Sequence, residues 1–116
     1  MALTKISSGV IAAEFQTASN LTANATVDMD WNSSQVFRLT PTSSTTFTFS
    51  DYKVGMVKIL IVTGAGSSYT LTFPSEATNL GGTYDDTSGT KNFIQIICTD
   101  DDGTPEFFYT ITQPAT

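Results

Sequence analysis

A period-two alternation of apolar and polar residues runs through much of this chain and restricts it to β-structure. Apolar residues alternate with aspartates from Val27 to Trp31 and with threonines from Tyr69 to Phe73. Since successive strand residues point to opposite faces, each run predicts a strand with one apolar and one polar face. Threonine and serine make up 33 of the 116 residues, and the β-branched threonine favours sheet.

Two further runs are apolar on both faces and predict strands that are covered on both sides. They are residues 56–62, interrupted by a single lysine, and residues 93–98. Turn-forming residues separate these runs from their neighbours. We therefore expect residues 56–62 to form a hairpin with residues 69–73 across Gly64–Ser68, and residues 93–98 to form another with residues 107–111.

The predicted fold class is all-β: a single antiparallel β-sandwich or small barrel, jelly-roll-like, of about seven or eight short strands. The strands occupy residues 21–116, and residues 1–20 precede them as an N-terminal arm. Within the arm, residues 9–19 fit either a helical turn or an extended segment. Residues 78–92, rich in glycine, aspartate, threonine and serine, predict a long exposed loop that could contact another molecule.

Charge and composition exclude several classes of function. The chain has five cationic and eleven acidic residues and a net charge of −6, which argues against binding to nucleic acid or to an anionic membrane. It has no histidine and one cysteine, which excludes His-based catalytic triads, multi-cysteine zinc sites and an internal disulfide. We expect no enzymatic activity, no metal and no cofactor.

Three remaining features favour a structural interpretation over a chemical one. Cys98 lies in an apolar run and is expected to be a small buried hydrophobe. Asp100–Asp102 could attract calcium, but the distal glutamate of an EF-hand is missing, so a solvated hairpin turn is favoured. The sequence shows neither a signal-peptide core nor a membrane-length apolar segment, so we expect synthesis in the cytoplasm.

Several segments of the chain resemble a β-domain that recurs in phage virion proteins. They are TTFTF (45–49), VKILIVT (57–63), YTLTFP (69–74), FIQIICTD (93–100) and the final aromatic strand FFY (107–109). The opening sequence MALTKISSGVI also resembles the N-terminal segments of phage fibre-like and decoration-like proteins. The chain is thus similar to small capsid decoration (cement), head-fibre and tail-fibre proteins of marine and cyanobacterial phages.

This resemblance implies a structural protein of a virion, assembled in the cytoplasm of a bacterial host. It implies a capsid decoration protein that self-associates, typically as a trimer, and stabilises the outer shell by binding the major capsid protein. Strands that are apolar on both faces suit this role, because copies of the chain or a capsid surface would cover them. The residues expected in the capsid-docking arm are Val10, Ile11 and Phe15, and those expected at the subunit interface are Met56, Lys58, Leu60 and Val62.

Two alternatives stay open at this point. The chain could be a fibre or spike module that binds a host receptor or a glycan, in which case Tyr84, Asp85 and Asp86 of the long loop would carry recognition. It could also be a tail or neck protein that inserts into a connector. The number of copies per particle distinguishes shell decoration from both alternatives.

Overall fold

The structure of the protein is a computed structural model that describes residues 15–115. Within this range the chain forms nine β-strands and no α-helix, which confirms the all-β class. The strands are β1 (Ala18–Asn20), β2 (Thr26–Asp30), β3 (Val36–Leu39), β4 (Thr45–Ser50), β5 (Val57–Thr63), β6 (Leu71–Thr72), β7 (Ala77–Gly81), β8 (Lys91–Asp100) and β9 (Glu106–Thr112).

The count exceeds the seven or eight strands that we expected, because β1 and β7 lie in segments without a clear period-two pattern. β1, at residues 18–20, falls in the expected arm, and β7 falls largely in the expected loop. Both are edge strands of the same sheet. The period-two pattern arises from apolar residues on a buried face, so it does not reveal short edge strands that have few apolar side chains.

The strands form two separately hydrogen-bonded sheets. A mixed six-stranded sheet has the order β1-β3-β5-β8-β9-β7, and a three-stranded sheet has the order β2-β4-β6. β1, β3 and β5 run parallel in the large sheet, as do β2, β4 and β6 in the small one. From β1 to β6 consecutive strands alternate between the two sheets. Each strand from β3 to β6 therefore pairs in parallel with the strand two before it in the chain.

The antiparallel arrangement that we expected holds only where β5, β8 and β9 meet. β8 and β9 form the expected hairpin between residues 93–98 and 107–111. The hairpin expected across Gly64–Ser68 is wrong, since β6 pairs with β4 of the small sheet and β5 pairs with β3 and β8. Alternation identifies a strand but not its direction, and glycine and serine suit a crossing between sheets as well as a tight turn.

Both sheets contribute side chains to one hydrophobic core. Along β5 the even-numbered residues are completely buried, whereas the odd-numbered residues are partly exposed. β8 alternates between exposed and buried residues from Lys91 to Thr99, and Cys98 has the buried position that we expected. The buried apolar side chains are Val27, Met29, Trp31, Phe37, Leu39, Phe47, Leu60, Val62, Ile94, Ile96, Cys98, Phe107 and Ile111.

An aromatic cluster connects the small sheet to the large one. The ring of Trp31, directly after β2, lies 5.4 Å from the ring of Phe49 on β4 and 5.5 Å from that of Phe107 on β9. Phe49 and Phe107 are themselves 4.9 Å apart in an edge-to-face arrangement. Such aromatic pairs contribute roughly 0.5–1.5 kcal/mol each beyond their burial, so this cluster fixes how the two sheets face each other.

Substitutions on adjacent residues of β5 should separate its inner face from its outer face. Leu60 is completely buried, so Leu60→Ala should lower the free energy of unfolding by about 2–5 kcal/mol through lost burial and a cavity. Ile59→Ala, on the partly exposed face, should cost less than half as much. Urea denaturation followed by tryptophan fluorescence measures both, and equal costs would contradict this assignment of faces.

Candidate functional site

Two loops meet at the end of the large sheet where β5 stops and β8 begins. Residues 64–70 follow β5, and residues 82–90 precede β8. The Gly64 N–H donates to the carbonyl oxygen of Thr90 (2.8 Å), and the Gly89 N–H donates to the carbonyl oxygen of Gly64 (2.9 Å). We call these two segments the loop pair, and their direct backbone hydrogen bonds hold them as one unit.

Asp86 is the polar centre of the loop pair. Its carboxylate accepts hydrogen bonds from the backbone N–H groups of Ala65 (3.1 Å), Ser67 (2.9 Å) and Tyr69 (3.0 Å), and from the hydroxyl of Tyr84 (2.5 Å). Burial acts to raise the pKa of Asp86, but the four donors outweigh it and hold this pKa well below its usual value. Burial and the bond to Asp86 raise the pKa of Tyr84, which therefore stays a neutral donor.

Only glycine fits at position 64, where the two loops approach most closely. A Cβ atom on Gly64 would lie 2.1 Å from the carbonyl oxygen of Thr87 and 2.7 Å from the carbonyl carbon of Asp86. Because both atoms belong to the backbone, no side-chain movement could make room. The sequence interpretation treated this glycine as part of a hairpin turn, whereas its role is this close contact.

Asn92, the second residue of β8, anchors the loop segment 82–90 through its side-chain hydrogen bonds. It was not identified from the sequence. It is completely buried. Its Nδ2 donates to the carbonyl oxygens of Val62 (3.1 Å) and Asp85 (2.8 Å), while its Oδ1 accepts from the Asp85 N–H (2.9 Å) and from Gln113 Nε2 (2.7 Å). The available signal was position: Asn92 stands two residues before Ile94 and so continues the inward face of β8.

The loop pair and the residues after β9 enclose an open cleft of about 640 Å³. The cleft brings together Tyr84, Asp85 and Asp86, the three residues expected in a recognition loop. Asp86 is occupied by its four donors, which leaves Asp85 as the accessible carboxylate. Hydrogen bonds from the side chain and backbone of Thr87 lower the pKa of Asp85 and keep it charged. Further polar lining comes from Ser68, Tyr69, Thr83, Thr87 and Gln113.

A second candidate surface is the face of the large sheet that points away from the core. Among its side chains Phe93 is 42% exposed, Ile97 36% and Leu80 64%. A shallow groove of about 220 Å³ on this face is lined by Leu80, Ile97 and Phe108, among others. We call this surface the outer apolar face and define it by Val36, Val57, Ile59, Ile61, Leu80, Phe93, Ile97 and Phe108.

The residues expected at a subunit interface lie on the opposite side of β5. Lys58, Leu60 and Val62 are completely buried within the chain itself, and Met56 is partly buried. A second copy could therefore reach β5 only through the outer apolar face. The choice of face needs correction: residues 56–62 are apolar on both sides, and the side that we expected to need cover from another copy is covered by the core of the chain itself.

Of the residues expected in a docking arm, Phe15 lies within residues 15–115, whereas Val10 and Ile11 lie outside the described residues. The Phe15 side chain is 53% exposed, and the Lys58 Nζ atom lies 5.4 Å from the centre of its ring. Lys58 Nζ also donates to Gln35 Oε1 (3.3 Å). A cation–π contact thus holds Phe15 beside the start of β5 while part of its ring stays open to solvent.

The described residues contain neither a candidate metal site nor a membrane-spanning helix. Within residues 15–115 no cluster of three or more acidic, cysteine or histidine side chains could hold a metal ion. In the acidic turn, the Asp100 carboxylate accepts from the Asp102 N–H (2.9 Å), as in an ordinary turn closed by aspartate. The described part of the chain contains no helix with the length and apolarity needed to cross a bilayer.

Replacing the central acceptor of the loop pair, Asp86, should make stability less dependent on pH. We expect Asp86→Asn to lower the free energy of unfolding by about 1–3 kcal/mol at pH 7, because charge-assisted bonds to three N–H groups are weakened. The folded pKa is depressed, so the contribution of Asp86 is complete above about pH 5 and is lost as the pH falls through about 4 and below.

Urea denaturation from pH 7 to pH 2.5 measures this difference between Asp86→Asn and the parent protein. Asp51 acts in the opposite sense, because its hydrogen bond and charge repulsion with Asp30 raise its pKa, but it is common to both proteins and cancels. Asp102→Asn, at an exposed turn position, is the matched control and should follow the parent curve. A constant gap between parent and Asp86→Asn at all pH values would contradict the role given to the carboxylate.

Comparisons with protein-family models, with curated proteins and with solved structures found no match for this chain. The resemblance to phage virion proteins therefore stays a prediction from the sequence.

Proposed function

We propose that this protein is a non-enzymatic structural protein that works by contact, assembling with copies of itself through the outer apolar face. The observation that supports this most directly is the exposure of large apolar side chains on a single sheet face, with Leu80, Phe93 and Ile97 each more than one-third accessible. Soluble proteins rarely leave a continuous apolar surface of this kind open to water.

The size of the face suits a specific protein interface. Six strands about 4.8 Å apart span about 24 Å, and the seven residues of β5 span about 23 Å along the strand. The projected area of the whole outer side of the large sheet, polar residues included, is thus about 550 Å², and the accessible area is larger because side chains stand up from the sheet. Specific interfaces bury about 800 Å² on each partner, which this side of the sheet approaches with the outer apolar face as its apolar part.

A second copy of the chain is the partner that this surface fits best. The residues that define the outer apolar face carry no charge, so they offer nothing to select a strongly charged partner. The nearest ion is the exposed Arg38, which lies beside Ile61 on the same side of the sheet and would have to stay at the solvated border of the interface. A sheet face packs most closely on another sheet face, and a second copy provides one of matching size. The sequence resemblance favours three copies, whose outer apolar faces would enclose a shared core around a threefold axis.

For the chain itself we propose a β-sandwich formed by the six-stranded and three-stranded sheets. The support is that both sheets contribute to one core and that Phe49 and Phe107 meet across them with ring centroids 4.9 Å apart. The outward side chains of β2 and β4, which are threonine, serine and aspartate, would then form the polar outer side of the sandwich.

In a phage particle the assembled protein would act as a decoration protein. Binding the assembled shell, but not its dissociated subunits, stabilises the shell by mass action. The basis for this part of the proposal is the sequence resemblance together with the exposed arm residue Phe15. In purified particles we expect a copy number comparable to that of the major capsid protein, measured by quantitative mass spectrometry; only a few copies per particle would indicate a fibre, spike or tail protein.

Polar substitutions on the outer apolar face should dissociate the oligomer without unfolding the chain. Phe93 and Ile97 are partly exposed strand residues, so the double substitution Phe93→Thr and Ile97→Thr keeps β-propensity while removing apolar contact area. We expect sedimentation velocity to give the mass of three chains for the parent protein and of one chain for the double variant.

Val54→Thr is the matched control, since Val54 is 59% exposed but lies in the loop before β5. It should sediment like the parent protein, and far-ultraviolet circular dichroism should be the same for all three. A parent protein that stays monomeric at about 100 μM, a concentration well above the dissociation constant of a specific interface, would overturn the proposal.

A further inference from the structure

We infer that the cleft of the loop pair is a binding site for a neutral saccharide, with Tyr69 as the stacking surface and Asp85 and Gln113 as hydrogen-bonding groups. This is a second function, separate from self-association, and it rests on the geometry of the cleft alone. It would give a decoration or fibre protein a means of attachment to a surface glycan.

Tyr69 supplies the aromatic ring that such a ligand needs. It is partly exposed, lines the cleft and is not part of the hydrophobic core. Trp31, Phe49 and Phe107, by contrast, pack on one another in the core. Within residues 15–115 no other aromatic ring packs against that of Tyr69, and its place in the cleft lining puts it where the C–H surface of a pyranose could meet it.

Uncommitted hydrogen-bonding groups surround this ring. Gln113 Nε2 donates to Thr83 O (2.7 Å) and to Asn92 Oδ1 (2.7 Å), which fixes the side chain and leaves its Oε1 as a free acceptor within the described residues. The hydroxyl of Tyr69 likewise makes no hydrogen bond there. The Asp85 carboxylate accepts from the Thr87 N–H (2.9 Å) and from the Thr87 side chain, and because it is exposed and has about four acceptor positions it can also accept from a sugar hydroxyl.

The charge of the cleft selects against anionic ligands. It is lined by the carboxylates of Asp85 and Asp86 and by no lysine or arginine. Burying a ligand carboxylate or phosphate beside Asp85 would bring like charges together without a cation in the lining of this cleft to compensate. A ligand with hydroxyl groups and no negative charge satisfies the acceptors of the cleft and avoids this penalty.

The cleft is also preorganised and large enough. Asp86 holds the N–H groups of Ser67 and Tyr69 at 2.9 and 3.0 Å, so the wall that carries the Tyr69 ring is fixed before any ligand arrives. Its 640 Å³ lies within the usual range of ligand sites, about 300–1,000 Å³. An adjoining cleft of about 550 Å³ shares Asp85 and Gln113 and leaves room for a second sugar ring; its one cation among the described residues, Lys91, donates to Thr63 Oγ1 (2.9 Å).

Titration of the ¹⁵N-labelled full chain with simple glycosides tests this inference. The probes are the methyl glycosides of mannose, galactose and glucose, with methyl β-D-glucuronide as the anionic counterpart of the glucoside. We expect at least one neutral glycoside to shift the amide resonances of residues 66–69 and 83–87, with a dissociation constant on the order of 1 mM. The glucuronide should bind at least tenfold more weakly than the glucoside. The absence of shifts with all three neutral probes, or equal binding of the glucuronide, would overturn the inference.

Two pairs of variants locate the binding contacts. Tyr69→Ala removes the ring but keeps the backbone N–H that Asp86 accepts, and it should weaken binding at least tenfold, whereas Tyr69→Phe should stay within about threefold of the parent. Asp85→Asn should weaken binding several-fold. Its control is Asp100→Asn, because Asp100 accepts from the N–H two residues later in the same way but lies in the β8–β9 turn.

Failure of this inference is distinguishable from failure of the self-association proposal. The double variant Phe93→Thr and Ile97→Thr should bind the glycoside like the parent, and Tyr69→Ala should sediment like the parent, since neither set of residues lies in the other surface. Parent-like binding by Tyr69→Ala would refute the stacking role of Tyr69 and with it the proposed site.

Discussion

The structure depends on the two-sided pairing of β5. This strand pairs in parallel with β3, which precedes it in the large sheet, and antiparallel with β8, the first strand of the final hairpin. Its backbone hydrogen bonds on both edges therefore join the parallel strands to the hairpin in one sheet. Its inner residues complete the core with the small sheet, and its outer apolar residues are only partly buried within the described chain. A strand that is apolar on both faces thus builds the core on one side and contributes to the outer apolar face on the other.

Strand positions were predictable from the sequence to the extent that burial imposes a period of two. The alternation around Phe47 and the doubly apolar run 93–98 located β4 and β8, and the acidic turn before Pro105 predicted the β8–β9 hairpin. Strand direction was not predictable, since a parallel and an antiparallel neighbour bury the same side chains. For that reason the segment Gly64–Ser68 was assigned to a hairpin, although it carries the chain to the small sheet.

In the candidate site, too, the loop residues were predictable from the local sequence, whereas their tertiary hydrogen bonds were not. The polar character of Tyr84, Asp85 and Asp86 marked the loop, but nothing near them in the sequence indicated that Asp86 would accept three N–H groups from the segment after β5. The alternation of β8 could have placed Asn92 on the inward face, but not its contacts with the loop. The three N–H partners are 17 to 21 residues from Asp86 in the sequence, so only the assembled fold brings them together.

The two candidate surfaces are separate, because one covers a side of the large sheet and the other lies past its end. The outer apolar face runs along β5 from Val57 to Ile61, whereas the cleft lies beyond the last residue of the strand, Thr63. Self-association through the side of the sheet would thus leave the cleft open. An oligomer would present several clefts together, and linked weak sites bind far more tightly than one, by factors of about 10²–10⁴ when their spacing matches the target. Millimolar affinity at a single cleft is then sufficient for attachment to a glycan-coated surface, and assembly is what makes so shallow and polar a site useful.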